Sequence, residues 1–164
     1  IEPDIQVDQK ELSRLTATIY SKNLLFNYAT EYVSKHETIA EAGKFQLSDE
    51  EFEAFSKYVM AQDFNYTTAS EEMLKKMKAT AEAEGFFEDS KAEYEALLDK
   101  VHPSKERDLE KFRPEIQQLL ENEIVSRYYF QKGRAQDSFR NDPVLQRGLE
   151  ILQNSSEYNT ILKK

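Results

Sequence analysis

The chain is expected to be all-α, a multi-helix bundle of about six to eight helices, preceded by a short N-terminal strand left over from another domain. Three observations carry this. Apolar residues recur at three- and four-residue spacing through most of the 164 residues. Ser, Thr and Asp stand at cap positions just ahead of those stripes, and Gly or Pro often stands just behind them. Only the first seven residues alternate apolar and polar, as a strand does.

That opening run, Ile1-Glu2-Pro3-Asp4-Ile5-Gln6-Val7, has its proline where a strand start or an edge tolerates one. It divides the chain into a closing strand of an absent domain at 1–8 and a helical domain at 9–164. The first helical stretch runs over about residues 10–36, with a break near Ser21-Lys22-Asn23; Leu25, Tyr28, Ala29, Tyr32 and Val33 form its stripe. Ser48 and Glu51 stand at the offset at which hydroxyl and carboxylate each satisfy an orphan backbone amide, and Phe52, Phe55 and Val59 follow on one face. Asp63-Phe64-Asn65-Tyr66 is a connector. Thr68 and Glu71 repeat the capping pattern ahead of Met73, Leu74, Met77 and Ala81, and Gly85 stops that helix by adopting a left-handed conformation.

The next helix spans about 86–101, burying Phe87, Tyr94, Leu97, Leu98 and Val101, and ends at His102-Pro103, because a residue before proline is pushed out of the helical region. Ser104 caps the longest stretch, about 105–132, in which Pro114 lacks an amide donor and so marks a kink or a fresh start near Phe112-Arg113. Ile116, Leu119, Leu120, Ile124 and Tyr128 continue the stripe. A short segment follows Gly133 as far as Arg140. Asp142-Pro143 opens the last main helix, whose Val144, Leu145, Leu149 and Leu152 are expected to face inward, and Tyr158, Ile161 and Leu162 close the chain with a further turn or two.

Charge narrows the range of partners. The net charge is −9 and the pI about 4.9, which disfavours nucleic acid, whose affinity comes from clustered Lys and Arg displacing counterions. Residues 37–99 hold 16 acids and 6 bases, whereas residues 100–164 hold 10 and 12; this suits either two halves facing each other within one bundle or a near-neutral half that meets a partner, and solvated helix faces alone would produce much of the pattern. No apolar run approaches the length of a transmembrane segment. The chain has no Cys, hence no disulfide and no thiolate metal site.

Catalytic constellations are not found. His36 and His102 are the two histidines, and neither has a second ligand at helical spacing, so no metal and no cofactor is expected. His102, at a helix end before Pro103, suits a capping role at the negative end of the dipole. The carboxylates around Glu71-Glu72, Glu82, Glu84, Glu93 and Glu95 sit among lysines on solvated faces. Neither a Ser-x-x-Lys nor a Gly-x-Ser-x-Gly pattern occurs, so no nucleophile with a positioned base is present. The densest mixture of aromatic and basic groups is Arg127-Tyr128-Tyr129-Phe130-Gln131-Lys132-Gly133-Arg134. Arg127, Tyr128, Tyr129, Phe130 and Arg134 are the candidate interface residues, weighed against simple packing with the arginines paired to carboxylates.

These stretches resemble the C-terminal region of bacterial carboxy-terminal processing proteases, the tail-specific serine peptidases of family S41, in a subgroup with a long helical extension. Pro3-Asp4-Ile5 within the opening run is similar to the strand that closes their protease domain. Leu25-Phe26-Asn27-Tyr28-Ala29-Thr30-Glu31-Tyr32, Asp63-Phe64-Asn65-Tyr66, and Glu123-Ile124-Val125-Ser126-Arg127-Tyr128-Tyr129-Phe130-Gln131-Lys132-Gly133 are similar to segments of the extension. The resemblance implies a serine nucleophile and a lysine base on an upstream protease domain, matched by no position here, and a location in the cell envelope or periplasm. It implies a non-catalytic domain that packs on or gates the protease core of the same chain, or mediates homo-oligomerisation, with protein or peptide substrates belonging to the parent. An independent helical module recruiting a partner protein is the alternative.

Overall fold

The computed structural model describes residues 4–7 and 11–162. Among them are nine helices and no strand: α1 (Arg14–Ser21), α2 (Leu24–Lys35), α3 (Asp49–Met60), α4 (Ala69–Glu84), α5 (Phe87–Val101), α6 (Lys105–Lys111), α7 (Arg113–Arg140), α8 (Pro143–Gln153) and α9 (Ser155–Leu162). Of the expected opening strand, residues 1–3 and the boundary at residue 8 lie outside the described residues. Residues 4–7 form a bend and irregular backbone. A strand is held by ladder bonds to a neighbour, and no sheet among the described residues offers them.

The chain forms two compact units. One comprises Ser13–Leu24 and Asp49–Ile116. In it α1 starts where the Ser13 hydroxyl accepts from the Thr16 amide (3.1 Å), while the Ser13 amide donates to Glu115 Oε1 (3.0 Å). Both α1 and α3 pack on α6, and Leu15, Ile19, Phe52, Phe55, Val59, Leu109 and Ile116 are buried. The Arg113 guanidinium lies 4.7 Å from the centre of the Phe52 ring and pairs with Asp49. α6 stops at Phe112, and Pro114 sits in the first turn of α7, where a missing amide costs nothing; the expected interruption is a clean restart.

α4 and α5 form a hairpin with a seam of its own. Thr68 Oγ1 accepts from the Glu71 amide (3.1 Å), and Gly85 closes α4 at φ 79°. Leu74, Phe87 and Tyr94 are buried together, with Ala81, Leu98 and Val101 against them, and the Phe87 and Tyr94 rings meet edge to face at 5.4 Å. Leu97, expected to be buried, is instead exposed, as are Met73 and Met77. Two helices bury one narrow seam, and these three fall to either side of it.

The other unit comprises chiefly Leu25–Ser48 and Gln117–Lys164. Leu25, Ala29 and Tyr32 of α2 are buried, as are Phe45 and Leu47 of the irregular segment 36–48 and Leu120, Ile124 and Val125 of α7. Side chains of α7 satisfy the backbone of that segment. The Leu47 amide donates to Glu121 Oε1 (2.9 Å), and Gln117 Nε2 donates to the Leu47 carbonyl (3.2 Å).

Two expectations fail in this unit. The long helix breaks at Phe130 (φ 54°, ψ −153°), not after Gly133, which lies inside the helical segment that follows. And although Asp142 caps α8 as expected, accepting from the amides of Val144 (2.8 Å) and Leu145 (3.1 Å), Val144, Leu145, Leu149 and Leu152 are exposed. Neither α8 nor α9 has a buried residue; they pack on each other, and one hairpin cannot cover both of its faces.

Candidate functional site

At Phe130 the chain reverses. On a straight helix Asn122 and Arg134 would stand about 18 Å apart, yet Asn122 Nδ2 donates to the Arg134 carbonyl (3.0 Å) and Arg134 Nε donates to Asn122 Oδ1 (2.9 Å). The two arms of α7 therefore lie side by side. Arg134 Nη2 reaches Glu123 Oε2 (3.0 Å), and Arg140 pairs with Glu121 across the same seam. Gly133 makes the close approach possible, since a Cβ there would sit 2.1 Å from Tyr129 Cβ, far inside contact distance.

A buried charge cluster stands along this seam. Asp137 and Glu121 are almost fully covered, and both face Arg140. Asn122 Nδ2 donates to Asp137 Oδ2 (3.2 Å). Burial, chiefly, pushes the Asp137 carboxyl above its ordinary range, and Glu121 adds to this; Asn122 and Arg140 oppose it without prevailing.

Of the five candidate interface residues, four serve the internal structure. The Arg127 guanidinium lies 4.6 Å from the Phe26 ring and donates to the carbonyls of Glu123 (2.7 Å) and Phe26 (2.8 Å), tying α7 to α2. The Tyr128 hydroxyl donates to the His36 carbonyl, and burial raises its phenol. The Tyr129 hydroxyl donates to the Ile39 carbonyl (3.3 Å). Arg134 spans the arms as described. Phe130 differs: its ring is 76% exposed, on a backbone conformation that residues other than glycine rarely adopt.

Beside the reversal lies an open groove of about 530 Å³, lined by Ala42, Gly43, Tyr129, Gln136 and Phe139 together with the Glu41–Lys44 ion pair. Phe139 is 56% exposed and was not singled out from the sequence, because a lone phenylalanine between Ser138 and Arg140 carries no pattern. Tyr129, Phe130 and Phe139 thus present aromatic surface at this corner of the unit.

The polar groups of the other unit form a separate cluster. Glu71, nearly buried, pairs with Lys75 (2.8 Å) and lies 3.7 Å from His102 Nδ1. His102 ends α5, its backbone amide donating to the Leu98 carbonyl (2.7 Å), while its ring, expected at the negative end of the dipole, turns towards Glu71. The Tyr66 hydroxyl donates to Asp108 Oδ2 (2.6 Å); desolvation, and after it this bond, raises the phenol strongly, and Arg107 Nε donates to Asp108 Oδ1 (3.1 Å). A cleft of about 240 Å³ separates Tyr66, Glu71, His102 and Lys105. Each carboxylate is matched by a cation or a hydroxyl. Among the described residues no group of three or more His, Asp or Glu is placed to hold a metal.

Residues 15–152 match the family model described as the C-terminal helical domain of a probable PDZ-protease. The chain belongs to that family. The match reaches from within α1 to within α8, and it fits the expected C-terminal helical region of a protease. No curated protein and no solved structure matches the chain. In this PDZ-protease helical domain, the aromatic and basic run from Arg127 to Arg134 is the one that builds the α7 reversal.

Proposed function

We propose that this chain is the non-catalytic helical domain of an S41-type, carboxy-terminal processing serine peptidase of the cell envelope, and that it docks on the protease core of its parent through the aromatic corner at Phe130. The family match supports a protease setting. The observation that carries the docking reading is the exposed Phe130 ring on a strained backbone: such strain costs about 1–3 kcal/mol, and an aromatic ring held out into solvent suits the anchor residue of an interface. In this reading bond cleavage belongs to a serine–lysine pair elsewhere in the parent, whose substrates are proteins or peptides. The helical domain governs how those substrates reach the pair.

The test adds this chain in trans to the parent's PDZ-protease fragment and measures binding by calorimetry. Binding is expected, weakened at least about tenfold by Phe130→Ala with Phe139→Ala. In the intact parent the same pair of changes should alter cleavage of an unstructured substrate. Absence of binding, or a double variant that binds as well as the wild type, refutes the docking reading and favours the independent binding module.

A further inference from the structure

We infer that the α8–α9 hairpin is a self-association surface, which pairs with the same hairpin of a second copy of this chain to complete a four-helix arrangement. The surface is distinct from the Phe130 corner, and the inference does not depend on the protease reading.

The apolar residues of α8 are segregated. At about 100° per residue, Val144, Leu145, Leu149 and Leu152 fall within roughly 140° of the helix circumference, with Gln146, Glu150 and Gln153 opposite. All four are 40–66% exposed, and on α9 Tyr158 (41%) and Leu162 (65%) are exposed as well. Helices of 11 and 8 residues have little stability of their own and depend on burying an apolar face. A two-helix hairpin with one open apolar side is half of a four-helix bundle.

Charge favours a second copy as the occupant. In a two-fold pair each residue meets its own symmetry partner, so a face with unpaired like charges repels itself. Here Arg147 is paired within the hairpin, to Glu150 (3.2 Å) and Glu157, and Asp142 is taken up by backbone amides. Residues 141–164 carry three acids and three bases. The α4–α5 hairpin also exposes apolar side chains, but residues 69–101 carry nine acids against five bases, and two copies would repel.

The area agrees. The six exposed side chains present on the order of 500 Å² of apolar surface. A dimer interface buries about 800 Å² per partner, and homodimer interfaces are about 65% apolar, which is again on the order of 500 Å².

Sedimentation velocity of the full chain from about 1 to about 300 µM should show a monomer–dimer equilibrium with a micromolar Kd. Leu149→Glu, at an exposed position and so compatible with folding, should raise the Kd on the order of 100-fold without changing the helical circular dichroism. Phe130→Ala should leave it unchanged, separating this surface from the docking corner. Gly148, where an added Cβ would meet nothing, lies on the same arc of α8. Because the chain has no Cys, oxidised Gly148→Cys should cross-link as a dimer well ahead of a Thr80→Cys control. A chain that stays monomeric throughout, a Leu149→Glu variant that dimerises like the wild type, or equal cross-linking at the two cysteines overturns the inference, even if a protease domain then binds the hairpin.

Discussion

Phe130 and Gly133 act as a pair. Phe130 takes up the backbone strain of the reversal, and Gly133 makes room for Tyr129. Phe130→Gly should stabilise the chain by about 1 kcal/mol, because relief of the strain exceeds the entropic cost of glycine. Gly133→Ala should destabilise it by about 2 kcal/mol or more, since the added methyl has no space. Urea melts of both variants check this, and opposite signs would refute the assigned roles. Asp137 supplies a second test. Its folded carboxyl titrates above the ordinary value of 3.8, so its contribution to stability is fully present below that value and lost as pH rises through the folded one. Relative to Asp137→Asn, the wild type should therefore gain stability as pH falls from about 7 to about 4. A difference in urea midpoint that stays constant, or moves the other way, contradicts the assignment.

At the scale of elements, the sequence was legible wherever a local rule decides. Thr68, Ser104 and Asp142 cap their helices, Gly85 closes α4, and Pro114 opens α7. Each depends on a few neighbouring atoms and so shows in a short window of residues. The α7 reversal was not legible, because phenylalanine carries no turn signal; what holds it is a set of cross-arm bonds among Glu121, Asn122, Glu123, Arg134 and Arg140, residues up to 19 positions apart. The α8 stripe was seen and misplaced. Periodicity shows which side of a helix resists water but not what covers it, and here no other part of the described chain buries that side. Of the candidate site, the run around Phe130 was visible as an aromatic and basic mixture, whereas the division of labour within it, four residues bonded within the unit and Phe130 held out, follows from tertiary contacts alone.

Across the whole molecule, stability is concentrated away from the C-terminus. Leu120, Ile124 and Val125 are fully covered, whereas nothing in α8 or α9 is buried. Removing residues 141–164 should shift Tm by no more than about 2 °C when measured well below the concentration at which copies associate. Removing 117–164 takes away the groups that cover Leu25, Ala29 and Tyr32 and that satisfy the segment 36–48, and should leave that part of the chain unfolded. Thermal melts of the two truncations settle the matter, and a large loss of Tm in the shorter deletion would contradict this distribution of the core.

The direct turn in α7 also limits how this region can vary in length. No loop separates its arms, so inserting a single residue next to Phe130 would rotate every later side chain of the second arm by about 100°. Arg134 and Arg140 would then swing away from Glu123 and Glu121. Insertions and deletions should be tolerated near Asn154, between the two exposed helices, and rejected at the corner.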